Sequence, residues 1–159
     1  MIRLGFDAKL YYKVGGVADP GPWVLAENVR DVNLNLGSAE ADVTTRRMAS
    51  WRITLPTLRE ASVEFEMIAD DEDTAFRAFR NAFFRLNTLL RNVIGLAIMS
   101  GAIDEPKSEG LQADFAVSTF GRNEALEEGQ KISVTGKPTY SLTPPAWVVV
   151  PTPPPPPPP

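Results

Sequence analysis

The chain has 159 residues, 43% of them hydrophobic, which suits one domain with a sizeable core. It has no cysteine and no histidine, which removes disulfides, thiolate chemistry, the usual neutral-pH base and the commonest metal ligand. A net charge of −4 argues against tight nucleic-acid binding, which runs on phosphate neutralisation by Lys and Arg, and against attachment to an anionic membrane.

Residues 1–7 carry no signal-like apolar core, and no stretch approaches the roughly 20 apolar residues of a membrane span. A protein made in a cytoplasm, and kept there or released by lysis, is expected. Leu4, Phe6, Ala8, Leu10, Tyr12 and Val14 alternate with polar residues and Tyr11, so a first strand is predicted over residues 3–14. Gly15 and Gly16 end it, and residues 17–23 read as a loop. A second strand spans 25–36, with Val32, Leu34 and Leu36 inward and Asp31, Asn33 and Asn35 outward. Residues 37–50 show no periodicity and read as a polar loop, long enough to be functional or disordered. Alternation restarts at Trp51, Ile53 and Leu55, and Pro56 interrupts it. Val63, Phe65 and Met67 then form an inward row opposite Ser62, Glu64 and Glu66.

One helix is predicted from Asp70 or Asp71, either able to cap its N-terminus. Glu72 and Asp73 fall in its first turn. Phe76, Phe79, Phe83, Leu86 and Leu90 recur at helical spacing as its buried stripe, and Arg77, Arg80, Arg85 and Arg91 suit its later part. Residues 93–99 read as a short buried strand. Leu111, Ala113, Phe115, Val117 and Thr119 alternate again, residues 121–129 connect, and residues 131–142 form the last strand. Ten of the fifteen prolines fall in residues 144–159, and the final seven residues are all proline. A β domain over 1–142 and a proline-rich polyproline II tail over 143–159 are expected, with the tail dispensable for folding. The element order predicts a mainly antiparallel β-sandwich or barrel, α+β in composition, with one flanking helix.

Candidate chemistry is sparse. Glu60, Glu64 and Glu66 could serve acid–base work, but a solvated strand face explains them. Asp70 to Asp73 could hold a cation, but they lack the glycine turn and distal glutamate of a calcium loop, and helix capping explains them. Gly15-Gly16 lacks the Lys-Ser/Thr of a phosphate loop. No catalytic residue, cofactor or metal is predicted. Two other readings stay open: a carrier with a closed apolar cavity, and an enzyme using carboxylates alone.

Residues 29–36 (Val-Arg-Asp-Val-Asn-Leu-Asn-Leu), 40–46 (Glu-Ala-Asp-Val-Thr-Thr-Arg), 51–58 (Trp-Arg-Ile-Thr-Leu-Pro-Thr-Leu) and 61–67 (Ala-Ser-Val-Glu-Phe-Glu-Met) carry a resemblance. In that order they resemble the tail tube proteins of long-tailed bacteriophages, and residues 126–135 resemble the closing strand of that family. The resemblance implies a non-enzymatic subunit of six-membered rings that stack into a conduit for DNA, in a phage, a prophage or a gene-transfer particle. It also implies relatedness to tube subunits of type VI secretion and contractile injection systems. The expected partners are other copies of the chain, tape measure, terminator and baseplate proteins, and DNA that passes without tight binding. The expected location is the virion tail, assembled in the host cytoplasm. The subunit contact expected from the 37–50 loop is Glu40, Asp42, Val43, Thr44, Thr45, Arg46 and Arg47, the acids of one copy facing the arginines of another. Glu64 and Glu66 are candidates for the lumen wall.

Overall fold

The computed structural model describes residues 2–84 and 93–156. Eight strands and one helix follow in the order β1 Lys9–Lys13, β2 Val24–Leu25, β3 Val29–Asp42, β4 Thr54–Ile68, α1 Thr74–Phe84, β5 Val93–Met99, β6 Glu109–Asn123, β7 Lys131–Pro138 and β8 Ala146–Val149. All pairings are antiparallel, and the strands form one sheet in the order β2-β1-β5-β6-β7-β4-β3, with β8 added to β6. The expected antiparallel fold with one helix is therefore present. The sheet is open, so the barrel alternative is corrected: its end strands β2 and β3 are chain neighbours without a ladder between them.

The sheet nevertheless curls. Phe79 of α1 meets Tyr12 of β1 at 5.8 Å and Phe65 of β4 at 5.0 Å between ring centroids. Those strands stand four places apart in the sheet order, about 19 Å if it were flat. Only a curled sheet brings both to one ring. The inward rows Val63, Phe65 and Met67, Leu111 to Val117, and Ile132 and Val134 complete the core around Phe79, which is fully buried. Tyr11, Ala97 and Met99 form a second cluster, joined by Trp23, Leu25, Ile103 and Val150.

Several sequence boundaries move, each for a local reason. Residues 3–8 are not strand: β1 starts at Lys9 because its partner β5 ends at Met99, leaving earlier residues no ladder. Leu4 and Phe6 are consequently exposed, and Gly5–Asp7 make a 3-10 turn. Asp73, not Asp70 or Asp71, caps α1, its carboxylate accepting from the Ala75 N–H at 3.2 Å. Glu72 and Asp73 thus precede the helix, and Asp70 accepts from the Glu72 N–H in the turn before it. Leu86, Leu90, Arg85 and Arg91 lie outside the described residues. A register shift between Val117 and Thr119 turns Phe120, rather than Thr119, toward the core cluster. The last strand ends at Pro138 rather than residue 142.

The proline-rich segment also adds a strand. β8 pairs Val149 with Glu109 and Ala146 with Gln112, taking the edge of β6 that β7 leaves after Pro138. Val150 prolongs this pairing: its N–H donates to the Ser108 carbonyl, and its carbonyl accepts from the Lys107 N–H. The sheet therefore reaches past residue 142 into the segment expected to be a free rod.

Candidate assembly surface

The feature that sets this chain apart is an arm without a core. β3 and β4 continue beyond the sheet as a two-stranded ribbon, paired from Asn35↔Ser62 to Asp42↔Thr54. Every residue from 35 to 60 is exposed except Ile53, which is half-buried. β7 accompanies β4 only from Val63 to Ile68, so the outer edge of β4 along the arm has no ladder. Pro56 is tolerated there: it pairs with Glu40 at the register shift between Ser38 and Glu40, beside a free edge, where a missing N–H costs little. The arm carries Leu36, Val43, Met48, Trp51, Leu55 and Leu58 among its exposed apolar residues, Leu58 at 78% exposure. A solvated ribbon has no physical use for that row. A second surface does.

The expected loop over residues 37–50 is thus mostly strand. Glu40 pairs with Pro56 and Asp42 with Thr54 inside the ladder. The connection proper begins at Val43, whose N–H donates to the Ile53 carbonyl at 3.0 Å. The Thr44 hydroxyl accepts from the Ile53 N–H at 2.9 Å, and Arg46–Met48 close a 3-10 turn. Asp42 accepts from the Thr44 N–H at 2.9 Å and pairs with Arg52 at 3.3 Å. The Thr44 hydroxyl and backbone donors first, and Arg52 after them, hold its carboxyl below the usual value of 3.8. Asp42 is therefore committed within its own chain. Glu40, Thr45, Arg46 and Arg47 are exposed, and the two arginines make no ion pair among the described residues. With Arg52, they give the tip at residues 43–53 three cations and no acid.

Glu64 and Glu66 lie on the opposite face from Val63, Phe65 and Met67, as expected. Across the ladder Glu64 meets Asn33 and Thr135, and Glu66 meets Arg30 and Ser133. Thr119 and Gly121 follow on β6. This face of β3, β4, β7 and β6 carries small polar residues, glutamates and the cations Arg30, Lys131 and Lys137, with Glu60 and Ser62 continuing it onto the arm.

Asp114 is a structural group the sequence reading missed. It is buried on β6, accepts from the Val17 N–H at 2.7 Å and takes a hydrogen bond from the Ser141 hydroxyl. Gly16 has a φ of +89°, and a Cβ there would come within 2.8 Å of the carboxylate. Asp114 thereby ties the β1–β2 connection and the segment after β7 to the sheet. A lone acid inside the apolar run of β6 was the available signal. Among the described residues no group of acids is placed to hold a metal ion, and no helix is long and apolar enough to cross a membrane.

An open curled sheet, one flanking helix and a coreless arm define a structural class. Solved structures of that class share the fold. The chain is similar to a subunit of the tail of an empty gene transfer agent particle, determined by helical refinement with C6 symmetry. That likeness has a TM-score of 0.69 at 18% identity and covers 93% of this chain and 98% of the other. It is similar to a chain of the native gene transfer agent virion, with TM-score 0.68, 15% identity and coverage of 92% and 99%. It is similar to the SPP1 tail tube subunit, with TM-score 0.67, 15% identity and coverage of 86% and 75%. The chain therefore has the tail-tube fold. No family model matches the sequence, and no characterised protein matches it by sequence.

Proposed function

We propose that this protein is the structural subunit of a tail tube, in a phage or a gene-transfer particle. Six copies form a ring, rings stack, and the bore conducts DNA. The observation that carries the reading is the arm: residues 35–60 form a regular, apolar-bearing ribbon with no core of its own. The arm is the contact between subunits, with Glu40, Val43, Thr44, Thr45, Arg46 and Arg47 at it and Asp42 holding the tip in shape through Thr44 and Arg52. The tail-tube fold supports the reading, since its solved examples are tail and virion assemblies.

The face bearing Glu60, Glu64 and Glu66 is the bore wall in this reading. That wall carries glutamates and small hydroxyls, and of its cations Arg30 faces Glu66 and Lys131 pairs with Glu128, which limits neutralisation of a passing polyanion's phosphates. The subunit's work is mechanical, without catalysis or cofactor. Its partners are its own copies first, then the tape measure, terminator and baseplate proteins, and its place is the virion tail. Electron microscopy of the purified protein tests this: stacked sixfold rings are expected. A protein that stays monomeric in light scattering at millimolar concentration, with no rings on the grid, refutes it.

A further inference from the structure

The tube reading leaves the proline run unused, although its base is fixed. β8 and the two backbone bonds of Val150, at 2.8 and 3.0 Å, hold the chain to β6 and its approach up to the residue before Pro151. Residues 151–156 are exposed, join no ladder, and are all proline except Thr152. Such a sequence adopts the polyproline II conformation and rises about 3.1 Å per residue, so these six span about 19 Å. It is rich in carbonyl acceptors and, Thr152 apart, offers no donor. A surface that binds it must supply an aromatic or aliphatic floor and N–H donors.

The chain carries that surface. A groove of about 480 Å³ runs beside α1, lined by Val14, Thr74, Arg77, Ala78, Asn81 and Phe84. Val14, Ala78 and the Phe84 ring, 65% exposed, give the apolar floor. The Asn81 amide and the Arg77 guanidinium supply donors. Arg77 donates through Nε to the Asp71 carbonyl at 2.7 Å, and among the described residues its terminal nitrogens make no further hydrogen bond.

Run and groove lie toward opposite ends of the molecule. β8 is antiparallel to β6 and ends opposite Glu109, so the run departs beyond the start of β6. Phe84 packs at 6.5 Å on Phe120, eleven residues further along that strand, about 36 Å at ~3.3 Å per residue. A stiff run that leaves in the other direction does not turn back to its own groove.

We propose that the proline run of one subunit seats in the α1 groove of a second copy. Contact between two unlike surfaces, one toward each end, propagates from copy to copy instead of closing as a pair. The inference rests on the tube reading only for where the second copy stands; seating itself is a property of two chains.

The test uses the full chain and a dye-labelled synthetic peptide, Pro-Thr followed by seven prolines. Anisotropy titration into dilute protein is expected to show saturable binding, with no binding of a Gly-Ser peptide of equal length. Phe84→Ala and Asn81→Ala, both at exposed positions, are each expected to weaken binding about tenfold. Excess peptide is expected to shorten tubes formed by the unmodified chain. Absence of saturable binding, or binding that neither substitution changes, overturns the proposal even if tubes form. Phe84-sensitive binding by a protein that never forms tubes would instead uphold the seating and overturn the tube.

Discussion

β4 is one strand with two fates. From Val63 to Ile68 it lies between β3 and β7, and Val63, Phe65 and Met67 are buried against α1 and the rest of the sheet. From Thr54 to Ser62 it has β3 on one edge and nothing on the other, and Leu55 and Leu58 are exposed. The backbone and the partner strand are the same in both halves. What differs is the source of the second surface. For the inner half it is this chain's own helix, and for the outer half the described residues supply none. Ladder hydrogen bonds keep a ribbon regular, but burial of side chains makes it stable, so within this chain the outer half lacks the burial that stabilises the inner half.

Substitutions on either side of that division should separate folding from assembly. The largest effect is expected at Phe79, where the core rows of β1 and β4 converge. Phe79→Ala should cost about 3–5 kcal/mol of unfolding free energy, as for a large ring removed from a close-packed core, read from the urea midpoint. A loss under about 1 kcal/mol would show that the curled sheet does not depend on the helix. Ending the chain at residue 142 removes β8 and Val150, which make strand pairings with β6 and fill the Tyr11, Ala97 and Met99 cluster. A loss of about 2 kcal/mol is expected from several ladder bonds at roughly 1 kcal/mol each, partly offset by hydration. An unchanged melting temperature would return the segment to a dispensable tail, as its composition suggests.

Leu58→Ser on the arm reverses the pattern. Its stability effect should stay within about 0.5 kcal/mol, as for an exposed site, while tube formation falls sharply in sedimentation. Normal tubes from this variant would remove Leu58 from the contact.

The smallest effect concerns Asp42. Its folded pKa is depressed by the donors of Thr44 and by Arg52, so its contribution to the order of the tip is present above the unfolded value. That contribution is lost as pH falls through the lower, folded one. Carboxyl NMR should find Asp42 titrating below 3.8, and Thr44→Val should raise it. Titration at or above that value would mean the tip is not held in this way.

The same division explains what the sequence disclosed. Rows with a buried face were legible: Val63, Phe65 and Met67, the run from Leu111 to Val117, and β5 to its end residues. Along Gly37 to Asp42 neither face is buried within the chain, so selection for alternation is absent and the stretch resembled a loop. Leu4 and Phe6 alternate well but have no neighbouring strand. Burial, not periodicity, decides strand formation there. Trp147, Val148 and Val149 sit among prolines, and composition hid the strand they make. Asp114 stood out as a lone acid in an apolar run, but its partner Val17 lies 97 positions away, so its role was not legible. The form of the segment proposed for assembly was not legible in full: a ribbon with a self-braced tip replaced the expected loop, and Asp42 turned inward to Arg52.

The strand order has a consequence for synthesis. β1 is made first, yet its ladder partner is β5, and Lys9 waits for Met99, 90 residues later. At roughly 5–20 residues per second, that is about 5–18 s on the ribosome. During that interval the arm hairpin is the longest pairing already complete in the emerging chain. The arm proposed to meet other copies is therefore displayed before the body that limits its reach exists. Neighbouring nascent chains on one message would meet through their arms, and pulse-labelled ribosome-bound chains stalled near residue 108, with Leu58 clear of the exit tunnel, should cross-link at Leu58 if they do.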